Sequence, residues 1–135
     1  MIRSLDQMVE KVHALNKKYR IAVAWAQDSN TINAIHKAVS YGFADGILIG
    51  NVAEIRNICK KTGVDPDLFS LANAENEITA SEEAVRLTRE GYADIAMKGL
   101  VGTDKFLHAV MDKKKGLMIQ NAVLSYVCAL EVPAY

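Results

Sequence analysis

Gly42-Phe43-Ala44-Asp45-Gly46-Ile47-Leu48-Ile49-Gly50 and Gly91-Tyr92-Ala93-Asp94-Ile95-Ala96-Met97-Lys98-Gly99 are two copies of one phrase, offset by 49 residues (91 − 42). Each reads as a glycine that ends a helix, a tight Ala-Asp turn, a short apolar run and a second glycine. That is the order helix, turn, buried strand, loop, and its repetition predicts an α/β fold. The copies part at their last strand residue, Ile49 in the first and Lys98 in the second. A lysine at the end of a buried strand is the strongest pointer to chemistry in the chain.

Working outward, the pattern continues on both sides. Leu5, Met8, Val9, Val12 and Leu15 recur at helical spacing over Leu5 to Tyr19, and Ile21 to Ala26 is a continuous apolar run suited to a central parallel strand. Asp28, Ser29 and Asn30 offer caps for a helix over Thr31 to Tyr41, which Gly42 stops. After the strand Gly46 to Ile49, Asn51 with Glu54 opens a helix that Lys60, Lys61 and Gly63 close. Asp65-Pro66-Asp67 is turn chemistry before a short strand at Leu68 to Leu71, and Thr79-Ala80-Ser81-Glu82 reads as the capping box of a helix through Glu90. Ile95 to Met97 is a strand, Thr103 and Asp104 cap a helix through Val110, and Val123 to Val132 is a fifth, long apolar strand.

Strands alternating with helices at short intervals predict a mostly parallel sheet covered on both faces, a three-layer α/β/α sandwich of Rossmann-like type with strand order 3-2-1-4-5. The continuous runs Ile21 to Ala26, Ile47 to Ile49, Ile95 to Met97 and Val127 to Val132 are its expected core. At 135 residues this is one domain, large enough to bury roughly two-thirds of its unfolded surface. Half of the residues are hydrophobic and the formal net charge is zero, so no basic footprint for nucleic acid is present. The longest apolar stretch is too short to span a bilayer, and the N-terminus lacks the layout of a signal peptide. Cys59 and Cys128 stand alone, as expected of reduced thiols in a cytoplasmic protein.

Ligands of such sheets sit beyond the carboxyl ends of the strands. Lys98-Gly99-Leu100-Val101-Gly102-Thr103 links a strand end to a helix start there, combining a full positive charge, unpaired backbone N–H groups and two glycines that permit close approach. The segment suits an anion such as phosphate; the plainer alternative is a turn with a solvated lysine. Asp28 ends the first strand, either orienting a ligand or capping the next helix. Asp45 and Asp94 lie at the opposite edge as turn residues. His13, His36 and His108 have no partners at triad or metal-ligand spacing, so no catalytic residue and no metal site is named. A receiver domain would need a further aspartate ending the third strand and an acidic pair at the first, and both are missing.

In order, AWAQDSNTINAIHKAV (24–39), YGFADGILIGN (41–51), GYADIAMKGLVGTDKFLHAVMDKKKGL (91–117) and LSYVCALEVPAY (124–135) resemble the N-terminal part of the phosphate acetyl/butyryltransferase family, closer to its butyryl branch. The resemblance implies the first domain of a two-domain enzyme, of a fold similar to isocitrate/isopropylmalate dehydrogenase, whose second domain is absent from this chain. It implies interconversion of acyl phosphate plus coenzyme A with acyl-CoA plus phosphate, coenzyme A being a substrate and no cofactor being bound permanently. It carries Lys98, Gly99 and Thr103 to the family's cleft and Ser125 to its LSHV-like strand, where Tyr126 replaces histidine; Ala134 replaces glycine in the family's EVPGY-like ending. The base would lie in the second domain, leaving the isolated chain inactive, and the enzyme would be a homo-oligomer. The competing expectation is a non-catalytic α/β module that binds an anionic ligand or a partner at the strand carboxyl edge.

Overall fold

The computed structural model describes residues 1–132 of the chain. Its elements are α1 (Leu5–Ala14), β1 (Tyr19–Ala24), α2 (Ser29–Ser40), β2 (Ala44–Gly50), α3 (Val52–Thr62), a 3-10 turn (Pro66–Leu68), β3 (Ser70–Asn73), α4 (Glu77–Arg89), β4 (Ile95–Lys98) and α5 (Thr103–Met111). The four strands form one parallel sheet in the order β3-β2-β1-β4, with Val23 level with Leu48 on one side and Met97 on the other. The two copies of the repeated phrase thus become β2 and β4, the strands that flank β1. The glycine that opens each copy takes up the left-handed conformation its position requires, with φ of 83° at Gly42 and 81° at Gly91.

The two faces of the sheet are covered differently. Val23, Leu48, Ile32, Ile35, Ile55, Cys59 and Phe69 form an aliphatic layer between the sheet and α2 and α3. On the other face Ala22, Ala24, Ala74, Ala80, Ala84 and Ala93 pack with Ile49 beneath α4, and α5 lies against α4. Small side chains let the α4 backbone come close to the sheet; the buried Ser81 fits because its hydroxyl donates to the Glu77 carbonyl at 2.7 Å.

Several expected boundaries shift, each for a local reason. β3 starts two residues later than predicted, because Asp65 accepts the Asp67 N–H and closes the 3-10 turn first. α4 starts earlier than the predicted box: Asn76 is its cap, accepting from Ile78 and Thr79 while the Thr79 hydroxyl accepts the Asn76 N–H. α5 is preceded by Gly102, and neither Thr103 nor Asp104 caps it. α1 stops at Ala14, before Asn16 turns left-handed, and none of its residues is buried.

The largest departure is the fifth strand. Val123 to Val132 form no strand, and every residue of that stretch is exposed, so Val127 to Val132 are not core. The run has strand composition, but a strand also needs a paired edge and a covering layer, and within this chain the segment reaches neither. β4 is accordingly the sheet edge, which leaves Ile95 44% exposed and Ala96 and Met97 half-buried, where all three were expected in the core. The chain's Pro133-Ala134-Tyr135 ending lies outside the described residues.

Candidate functional site

β1 leads to β2 and β3 on one side and borders β4 on the other, so the chain reverses direction across the sheet between β1 and β4. This is the topological switch point, where the loops after two neighbouring strands part. Those loops are Trp25 to Asp28 and Lys98 to Gly102.

The two loops are stitched together by backbone. Gly99 N–H donates to the Ala24 carbonyl at 2.9 Å and Leu100 N–H to the Trp25 carbonyl at 3.0 Å. Gly99 is obligatory there, since a Cβ would lie 2.6 Å from the Ala24 oxygen and 2.7 Å from that of Trp25. Trp25 itself has φ of 56°, a left-handed conformation costly for a bulky side chain. The reason is visible in the packing. Strict alternation along β1 would send Trp25 to the face of Val23, but the left-handed residue breaks the phase. Trp25 packs instead at the end of the alanine layer, and Ala26 returns to the aliphatic one.

Lys98 ends β4 with its side chain folded over its own loop, donating to the Val101 carbonyl at 2.6 Å and the Gly99 carbonyl at 3.4 Å. An ammonium has three donors, so one is left for a ligand. At the start of α5, the Glu77 carboxylate from α4 accepts the Gly102 N–H at 3.3 Å and the Lys105 ammonium. The Lys105 hydrogen bond, followed by that of Gly102, holds the Glu77 carboxyl below the usual carboxylate range, and Glu77 raises Lys105 in return. The loop therefore already carries one internal anion beside its cations.

Of the residues singled out from the sequence, Lys98 and Gly99 meet Ala24 and Trp25 at the switch point. Thr103 is the first residue of α5, exposed and without a capping bond. Asp28 shares the same edge of the sheet, with its carboxylate engaged in capping α2 through Thr31 N–H at 3.0 Å and the Thr31 hydroxyl. Ser125 is not brought to this edge by any strand and lies in the exposed segment after α5. Glu77, Lys105 and Gln27, whose side-chain oxygen accepts the Asn51 N–H, were not singled out. Their partners lie 24 to 28 positions away, a separation that leaves no local signal. A groove of about 410 Å³ between α4 and α5, lined by Arg86, His108 and Asp112 among others, contains none of the switch-point residues.

A family profile described as phosphate acetyl/butaryl transferase matches residues 4–87. The phosphate butyryltransferase of Clostridium acetobutylicum is 38% identical over all 135 residues, which cover 100% of this chain and 44% of that protein. The chain belongs to the phosphate acetyl/butyryl transferase family. Relatives come from the acetyl branch as well: the phosphate acetyltransferase of Rhizobium meliloti is 29% identical over 84% of this chain and 35% of its own length. A crystal structure of a phosphotransacetylase from Streptococcus pyogenes has the same fold, with a TM-score of 0.69 at 14% identity over 80% of this chain and 42% of that one. The chain spans less than half the length of these family members. Among its described residues, no helix is long and apolar enough to cross a membrane.

Proposed function

We propose that these 135 residues form the first domain of a two-domain cytoplasmic phosphate acyltransferase, which interconverts an acetyl or butyryl phosphate plus coenzyme A with acyl-CoA plus phosphate. The observation that carries this reading is the 38% identity to a phosphate butyryltransferase along the entire chain. The switch-point geometry adds to it, because it leaves a cation at the edge where α/β sheets bind ligands.

In the reaction the coenzyme A thiol gives up its proton, and the thiolate sulfur attacks the acyl carbon. The bond from that carbon to the bridging oxygen breaks, and phosphate departs with the electron pair. Lys98 meets the charge on the departing phosphate with its remaining N–H donor, acting as an electrostatic stabiliser. Gly99 keeps the loop close to β1, and Thr103 offers its hydroxyl at the start of α5. Asp28 acts through α2, whose first turn it holds at the same edge. Ser125 is given no part in this step, since it lies in the exposed segment after α5. The base that takes the thiol proton is assigned to the second domain, and coenzyme A enters as a substrate.

Phosphate and coenzyme A titrated into the 135-residue chain, followed by backbone amide shifts, should move Gly99 to Thr103 weakly, and Lys98→Ala should remove the phosphate response. Fused to the second domain of a phosphate butyryltransferase, the chain should transfer butyryl groups, and Lys98→Ala should raise the barrier by about 2 to 3 kcal/mol. A fusion that turns over equally well with Lys98→Ala removes the lysine from the mechanism. A response to phosphate in the chain with no turnover in a folded fusion favours the non-catalytic module.

A further inference from the structure

The Lys98 ammonium is held by a peptide group that has a second partner. The Val101 carbonyl, which accepts from Lys98 at 2.6 Å, and the Gly102 N–H, which donates to the Glu77 carboxylate at 3.3 Å, belong to one planar trans unit. The two groups point in opposite directions, so turning one turns the other. The earlier part of the loop is fixed separately, by the bonds of Gly99 and Leu100 to β1. The arm that carries Glu77 is rigid. Glu77 is the first residue of α4, whose start is capped by Asn76 and braced where the Ser81 hydroxyl donates to the Glu77 carbonyl. Behind it Ala80 and Ala84 are fully buried against the sheet. The other carboxylate oxygen of Glu77 takes the Lys105 ammonium, from the first turn of α5, so this one side chain ties α4 both to the loop and to the helix that follows it.

We propose that Glu77 is the positioning residue for Lys98: through the Val101–Gly102 peptide it turns the Val101 carbonyl toward the ammonium and so fixes where that charge stands. A carboxylate on the N–H side and an ammonium on the C=O side polarise the unit in the same sense, each strengthening the other's bond. Glu77 thereby acts on the ligand edge without touching the ligand. This role rests on the reading of Lys98 as the phosphate contact. Charge alone predicts the reverse effect, because a carboxylate beside an anion site repels the anion, and deleting it would tighten phosphate binding. The sign of the change separates the two roles.

Inorganic phosphate titrated into the 135-residue chain and into its Glu77→Ala and Glu77→Gln variants, followed by backbone amide shifts, gives that sign. Glu77→Ala should weaken phosphate binding at least about fivefold. Glu77→Gln, whose amide oxygen still accepts the Gly102 N–H, should bind phosphate at least as tightly as the parent. Tighter or unchanged binding in Glu77→Ala overturns the proposal, as does equal weakening in both variants. A second measurement needs neither phosphate nor a Glu77 variant that folds. Lys98→Met should move the Gly102 amide proton upfield, because the peptide loses the charge that polarises its carbonyl end. A Gly102 amide indifferent to Lys98→Met overturns the proposal. If phosphate moves no amide from Gly99 to Thr103 in the parent, the phosphate role of Lys98 fails, and the Gly102 response still decides the coupling to Glu77.

Discussion

Gly99 is the position with least freedom. Two backbone carbonyls stand where its Cβ would be, and backbone cannot step aside as a side chain can. Gly99→Ala should therefore cost about 1 to 3 kcal/mol in urea denaturation and loosen the stitch between Lys98 and β1. At the opposite edge, Asp94 accepts the Arg20 backbone N–H at 2.8 Å and the guanidinium at 3.3 Å, and these bonds hold its carboxyl below the usual range. A carboxyl lowered by folding stabilises the native state above its unfolded value, and that contribution fades as pH falls through the lowered one. Asp94→Asn should melt below the parent at neutral pH, with the gap closing as the pH drops below about 4. Melting temperature followed against pH reads this directly. The sequence marked Asp45 and Asp94 as equivalent turn residues; the structure keeps both at that edge but places Asp45 inside β2, in register with Arg20, and gives each a cation, Lys18 just before β1 and Arg20 within it.

At the scale of elements, the two faces of the sheet should be destabilised by opposite changes of side-chain size. Ile55 on α3 is fully buried in the aliphatic layer, so Ile55→Ala leaves a cavity and should cost about 2 to 5 kcal/mol. Ala84 on α4 is equally buried, but its neighbours are alanines against which the helix backbone sits close. Ala84→Leu should overpack that layer and cost about 1 to 3 kcal/mol. Denaturation midpoints of the two variants check both signs; an Ala84→Leu protein more stable than the parent would mean that the alanine layer has room. Helix starts were legible at Asp28 and Asn51, whose side chains accept from Thr31 and Glu54, whereas at α4 the Thr79 to Glu82 pattern hid the true cap, Asn76. The start of α5 was legible in position but not in its capping, because the carboxylate on it arrives from α4.

For the whole molecule, the sequence by itself determined that this is a parallel α/β sandwich. It also determined the order of four of its strands, since continuous apolar runs between capped helices leave few arrangements once crossovers must be right-handed. It likewise determined the family, which the profile match over residues 4–87 and the 38% identity along the whole chain show. It set Lys98 at a strand end, which the structure retains. Only the tertiary structure decided the fate of Val123 to Val132. Composition states that a segment can be a strand; whether it is one depends on an edge to pair with and a layer to cover it, and both are supplied by residues distant in the chain. The same holds for the left-handed Trp25, for the two carbonyls that make Gly99 obligatory and for the Glu77 contact with the start of α5. Each is set by atoms that meet only after the sheet has formed, so no local pattern of residues could announce them.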